Sequence, residues 1–252
     1  MDNINLKMMK TVKKMLSLAA MFIAIAIFQS CIFDNSEKVS GNGKVVKQDR
    51  EVSAFTAIDA SGVFNVYLSQ GEKESLVIEA DENLMPLIET RVEGNTLHID
   101  QKEHINIKYA KKKSIYVTFK EINRLKINSV CNISTSQMLH LKELNLDHSG
   151  VGNVQLDFQC KKLLAEIQSV GQLTLKGKAD FAELKNSSVG NVNATDFIVD
   201  TLHLDNSSVG NVEVRAEKEV YVHSSGIGNV TIEGNAAVKE LSSSGIGKVS
   251  KK

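Results

Sequence analysis

Tryptophan is absent from this chain, proline occurs once, at Pro86, and aromatic residues make up only 5% of it. A core built on large rings is excluded, so any apolar interior must be assembled mostly from Val, Ile and Leu, which suit strands. Charge of one sign is lacking too, with 30 Lys and Arg against 30 Asp and Glu. That balance gives no general footprint for nucleic acid and no trap for acidic substrates. Histidine is sparse and scattered, at six, and the Cys131 and Cys160 positions lack the spacing of metal ligands. No catalytic, metal or cofactor residue is expected.

One apolar run stands out, Met15 to Ile27, preceded by Lys7, Lys10, Lys13 and Lys14 and followed by "FQSC" at Phe28–Cys31. It is short for a bilayer span and has the basic flank of a secretory signal. Ser30-Cys31 resembles the end of a bacterial lipoprotein signal, in which the Cys becomes the lipid-carrying first residue. Residues 1–31 are read as that signal, with lipidation at Cys31. The polar, Gly-bearing residues 32–45 form a tether.

What is abundant is repetition. "HSGVGNV" at His148–Val154 is followed by "NSSVGNV" at Asn186–Val192 and again at Asn206–Val212, and by "SSGIGNV" at Ser224–Val230. With the Asn of Gly-Asn as a marker, equivalent positions fall at Asn132, Asn153, Gln172, Asn191, Asn211, Asn229 and Lys248, a period of about 19 residues. Around each marker the apolar residues alternate at spacings of two, as on strands with one face inward. The aliphatic residues two before the marker (Val151, Val170, Val189, Val209, Ile227, Ile246) and one after it are both expected to face inward. The chain would then turn at the Gly-Asn between them, Gly supplying an unusual φ and Asn tolerating αL. The corner residues are Gly152, Asn153, Gly171, Gly190, Asn191, Gly210, Asn211, Gly228, Asn229 and Gly247. Coils stacked about 4.8 Å apart would place Asn over Asn as an amide ladder, with Asn186 over Asn206 as a second one. Cys131 and Cys160 fall about half a coil apart, too far for a disulfide, and are expected as free, buried thiols.

Residues 46–126 keep strand character without the period. Turns are marked by Gln70-Gly71 and Gly94-Asn95, "ENLMPLIE" at Glu82–Glu89 is a short helical or turn insert, and "KYAKKKS" at Lys108–Ser114 is a solvated basic loop. "SGVFNV" at Ser61–Val66 repeats the corner with Phe64 in place of Gly. The segment is read as an extra coil plus hairpins that cap regular repeats over residues 127–252 and protect a strand edge.

Together, "FTAIDASGVFNVYLSQG", "LVIEADENL", "NTLHI", "SIYVTF" and the "SGVGNV/SGIGNV" repeats resemble the head GIN domain family of auto-transporter adhesin-like proteins. The resemblance implies an all-β fold, a right-handed parallel β-helix over residues 46–252, in an exported protein of the Gram-negative cell envelope, in this case as an outer-membrane lipoprotein.

Asp147, Asp157, Asp180, Asp196 and Asp205 do not share one repeat phase beside His or Arg, and His148 adjoins Asp147 on opposite strand faces. The expected function is therefore a non-catalytic envelope module. It binds a glycan or an envelope protein and meets the membrane through its lipid. A β-helix carbohydrate-active enzyme and an envelope sensor are the alternatives.

Overall fold

The computed structural model describes residues 36–252, so the signal 1–31 and Cys31 lie outside the described residues. Two compact units divide at Lys38 and Val39. In the first, residues 36–38 are described, and a strand starts at Glu37. The second, Val39–Lys252, is a parallel β-solenoid with an antiparallel cap.

Four long strands, Val154–Ile167, Leu173–Asn186, Val192–Asn206 and Val212–Ser224, wrap successive coils and pair in parallel. Their register repeats the sequence period: Val154 lies over Leu173, Val192, Val212, Val230 and Val249. Burial alternates along each strand, and Leu163, Ala182, Leu202 and Val220 fill one inner layer. The alternation breaks at Lys161-Lys162 and again at Asp180-Phe181, where two successive residues face out. A second corner forms there, because shifting the inward phase by one residue requires the strand to bend. Phe158 and Phe197 come from coils on either side of Gly177, and their rings meet at 4.9 Å, while a Cβ at Gly177 would collide with the Phe158 carbonyl.

The cap reorders the chain. Ala57–Ser61 and Phe64–Gln70 make a coil that pairs directly with Arg124–Thr135, in the register Ile58 to Leu125 and Asn65 to Asn132. On its other side lie Thr96–Gln101 and Lys113–Phe119, also parallel. The coil contributed by the later segment is thus outside the earlier one. Antiparallel strands finish this end: Ile88–Glu93 on Thr96–Gln101, and Ser75–Asp81 between Lys113–Phe119 and Val45–Arg50. Gly94-Asn95 is a hairpin turn, whereas the chain leaving Gln70-Gly71 crosses over Lys113–Phe119 to reach its next strand. The insert around Pro86 is a 3-10 helix, Glu82–Leu87, pinned by Arg50 Nη2 donating to the Met85 carbonyl at 3.1 Å.

Candidate functional site

At the repeated corner the glycines have φ of +143° (Gly152), +149° (Gly171), +148° (Gly190), +141° (Gly210), +132° (Gly228) and +142° (Gly247). This region is outside αL and belongs almost exclusively to glycine. A Cβ at Gly171, Gly190, Gly210, Gly228 or Gly247 would also collide with the carbonyl oxygen of the corner glycine one coil earlier, and at Gly152 with that of Cys131. Asn153, Asn191, Asn211 and Asn229 keep negative φ, for the single positive-φ residue other than glycine is His104, among the described residues. Asn therefore does not supply αL geometry. Its role is the ladder: Asn132 Oδ1 accepts from the backbone N–H of Asn153 at 2.9 Å, Asn153 Oδ1 from Gln172, Asn191 Oδ1 from Asn211 and Asn211 Oδ1 from Asn229. The donor is the next coil's main chain rather than its side-chain amide. In the cap, Asn132 Nδ2 donates to Asn65 Oδ1 at 3.1 Å, continuing the column through "SGVFNV".

The residues two before each marker do not face the core. Val151, Val170, Val189, Val209, Ile227 and Ile246 are between 47% and 73% exposed and bridge coil to coil as a single column. The inward expectation fails because period two runs unbroken through the corner: positions three before and one after the marker are inside, and the Gly between them occupies the inward phase. Ser187 and Ser207 flank the column on one side and the marker asparagines on the other, all exposed. The result is an uncharged strip with an aliphatic crest across the central coils.

Inside the same corner is a buried polar network. Asn186 Nδ2 donates to Asn206 Oδ1 at 2.9 Å, and Ser188 and Ser208 hydroxyls donate to Asn186 and Asn206 at 2.6 and 2.7 Å. The equivalent position one coil earlier is Ile167, and before that His148, which is buried and has no hydrogen-bond partner on either ring nitrogen among the described residues. Burial holds the His148 imidazole below its ordinary pKa, against the opposing pull of Asp147. His148 points in and Asp147 lines an outer cleft, so the two form no dyad.

That cleft gathers residues the sequence reading left out. Asp147, Glu166 and Glu183 line it with Arg124, Asn145 and Lys185, around a space of about 410 Å³. Asp157, Asp180, Asp196 and Asp205 are not among its lining residues. Glu166 and Glu183 sit six and eight before their markers, so the count that found the core would have found them, had outward phases been aligned as well. Lys185, at 2.9 Å, holds the Glu183 carboxyl below its usual range. A general acid for glycoside hydrolysis requires the opposite shift. Among the described residues no three metal-ligating side chains cluster. Cys131 and Cys160 are free and buried, and burial pushes their thiols up to about 12 and about 11.

The basic loop is tied down from beneath. The buried Asp81 carboxylate accepts from the backbone N–H of Lys111 and Lys112 at 2.8 and 3.1 Å, and from Gly43 at 2.6 Å. Burial works to raise its pKa, and these hydrogen bonds outweigh it and hold the group low.

Among solved structures, one described as a "putative adhesin" from Bacteroides fragilis NCTC 9343 is 28% identical, with a TM-score of 0.80, covering 85% of this chain and 100% of the other. A "putative lipid binding protein" and a "putative adhesin", both from Parabacteroides distasonis ATCC 8503, are each 19% identical over the same shares, with TM-scores of 0.65 and 0.63. At that identity they show the fold alone. No curated protein matches. The family described as "Putative auto-transporter adhesin, head GIN domain" matches residues 54–236, and the chain belongs to it.

Proposed function

We propose that this chain is an exported, non-catalytic module of the cell envelope, held to the outer membrane by lipid at Cys31, that binds a glycan or an envelope protein through the outer columns of its solenoid. The observation that carries the reading is the column Val151 to Ile246, which leaves a β-branched side chain about half exposed in coil after coil. Extended apolar surface rimmed by polar groups is characteristic of a contact surface. The adhesin descriptions of the family and of its structural neighbours support the same reading.

A binding screen of residues 32–252 against glycans and envelope proteins tests it. Saturable capture of one or more is expected, and a screen with no ligand overturns it. The anchor is tested apart: a palmitate analogue should label the wild type and not Cys31→Ala, and label kept by the variant removes the lipid from the proposal.

A further inference from the structure

A second outward column runs beside the second corner. Its register passes Arg124, Asn145, Leu164, Glu183, His203 and Tyr221 through five successive parallel pairings, about 24 Å at about 4.8 Å per coil. One end of the column forms the 410 Å³ cleft described above. At the other end His203 and Tyr221, in this column, meet Phe181, which stands two residues before Glu183 in the adjoining outward register of Lys162 and Thr201. Phe181 and His203 have centroids 5.1 Å apart, and His203 and Tyr221 4.4 Å. All three are half-buried, each with part of its surface open to solvent. The chain has few aromatic residues, and Phe119, Phe158 and Phe197 are fully buried in its core. Tyr67 and Tyr116 also stack outward in the cap, at 5.0 Å; what distinguishes these coils is a group of three rings continuous with a polar cleft.

Aromatic faces are flat and apolar with a negative quadrupole, and they pack against the C–H faces of pyranose rings. Side chains such as Asn145, Arg124 and Glu183 supply the donors and acceptors that fix hydroxyl groups. Charge narrows the ligand class. Carboxylates of Asp147, Glu166, Glu183, Asp205 and Glu219 are balanced by Arg124, Lys126, Lys162, Lys185 and Lys239, of which Lys185 and Lys239 are paired, at 2.9 and 3.3 Å, with Glu183 and Glu219. A surface without an excess of either sign steers in neither polyanions nor polycations and suits an uncharged ligand.

We propose that this column is the glycan site of the module, and that it takes a neutral, extended oligosaccharide lying along the solenoid axis, its sugar faces on Phe181, His203 and Tyr221 and its hydroxyls on Asn145, Arg124 and Glu183. The proposal rests on the binding-module reading above and commits it to a carbohydrate.

The full chain, produced with its leader and purified from membranes, is applied to an array of neutral and uronate-bearing oligosaccharides, and affinities for the strongest neutral binder are measured for variants. Phe181→Ser and Tyr221→Ser should each weaken binding by about tenfold or more, more than Val189→Lys and Val209→Lys do in the aliphatic column, while Glu72→Ala, exposed in the cap, should leave it unchanged. Thermal melts identify any variant that fails to fold. Saturation-transfer NMR on the wild type gives an independent readout, in which aromatic protons should pass magnetisation to the sugar C–H groups. Binding that survives the ring variants, is lost only in the valine variants, or favours uronates overturns the site. An array with no binder also overturns it. If the same preparation then captures an envelope protein, the binding-module reading stands without the glycan; if it captures nothing, both fall.

Discussion

At Gly210 two constraints coincide, a φ of +141° and the approach of the Gly190 carbonyl to where a side chain would begin. Either alone disfavours other residues, and together they leave no relaxation open, because the obstacle is backbone of a packed neighbouring coil. Gly210→Val should destabilise the protein by at least about 1–3 kcal/mol, whereas Asn211→Ala, which removes an exposed acceptor for the Asn229 N–H at 3.0 Å, should cost about 1 kcal/mol or less. Thermal and denaturant melts compare them, and a Gly210→Val protein as stable as wild type would refute the corner geometry. His148 makes a pH prediction. Its folded pKa is lowered by burial, so the unfolded chain binds the proton first, at about 6.5. The associated stability is complete above that pH and is lost as pH falls below it. His148→Ile, copying the Ile167 that lies over it, should flatten the fall in stability below about pH 6.5. An unchanged profile would assign the acid sensitivity to other groups.

On the scale of the strand, apolar side chains at alternate positions were legible as a solenoid because each inner layer repeats the same residue types every coil. The orientation of Val189 and its equivalents was not. A β-branched residue serves an exposed rung as well as a buried one, since its preference for extended backbone holds on either face, and the sequence offered no polar residue in that column to mark it as outside. Val189→Thr, which keeps the branch and replaces one methyl with a hydroxyl, should change stability by no more than about 0.5 kcal/mol, whereas Val192→Thr, at an inner position 2% exposed, should cost about 1–3 kcal/mol by burying the hydroxyl. Equal losses in the two melts would put both side chains inside. The outward cleft and ring column were hidden for a different reason: Asn145, Leu164, Glu183, His203 and Tyr221 share a place and no residue type, so self-similarity does not reveal them.

Across the whole of the second unit, stability is distributed coil by coil, since each coil touches chiefly its neighbours. The reversed order in the cap, with Thr96–Gln101 outside Ala57–Ser61, was not readable from the sequence, because no corner motif marks the outermost coil and strand order depends on contacts far apart in the chain. Its consequence is asymmetry. The cap end is finished by antiparallel strands and by Asp81 gathering three backbone N–H groups. At the other end, Ala237–Ser243 and Val249–Lys251 pair on one side only among the described residues, and Leu241 and Ile246 are 50% and 73% exposed. A coil with one neighbour can open without disturbing the rest, so local opening there should need far less free energy than in the centre. Hydrogen exchange measures this directly. The Ile246 amide, bonded to the Gly226 carbonyl at 2.9 Å, should exchange well before the Val189 amide, bonded to Ser169 at 2.8 Å, although the two bonds are nearly the same length. Equal protection would mean that the solenoid opens as one cooperative unit, and that its final coil is held by something other than its single neighbour.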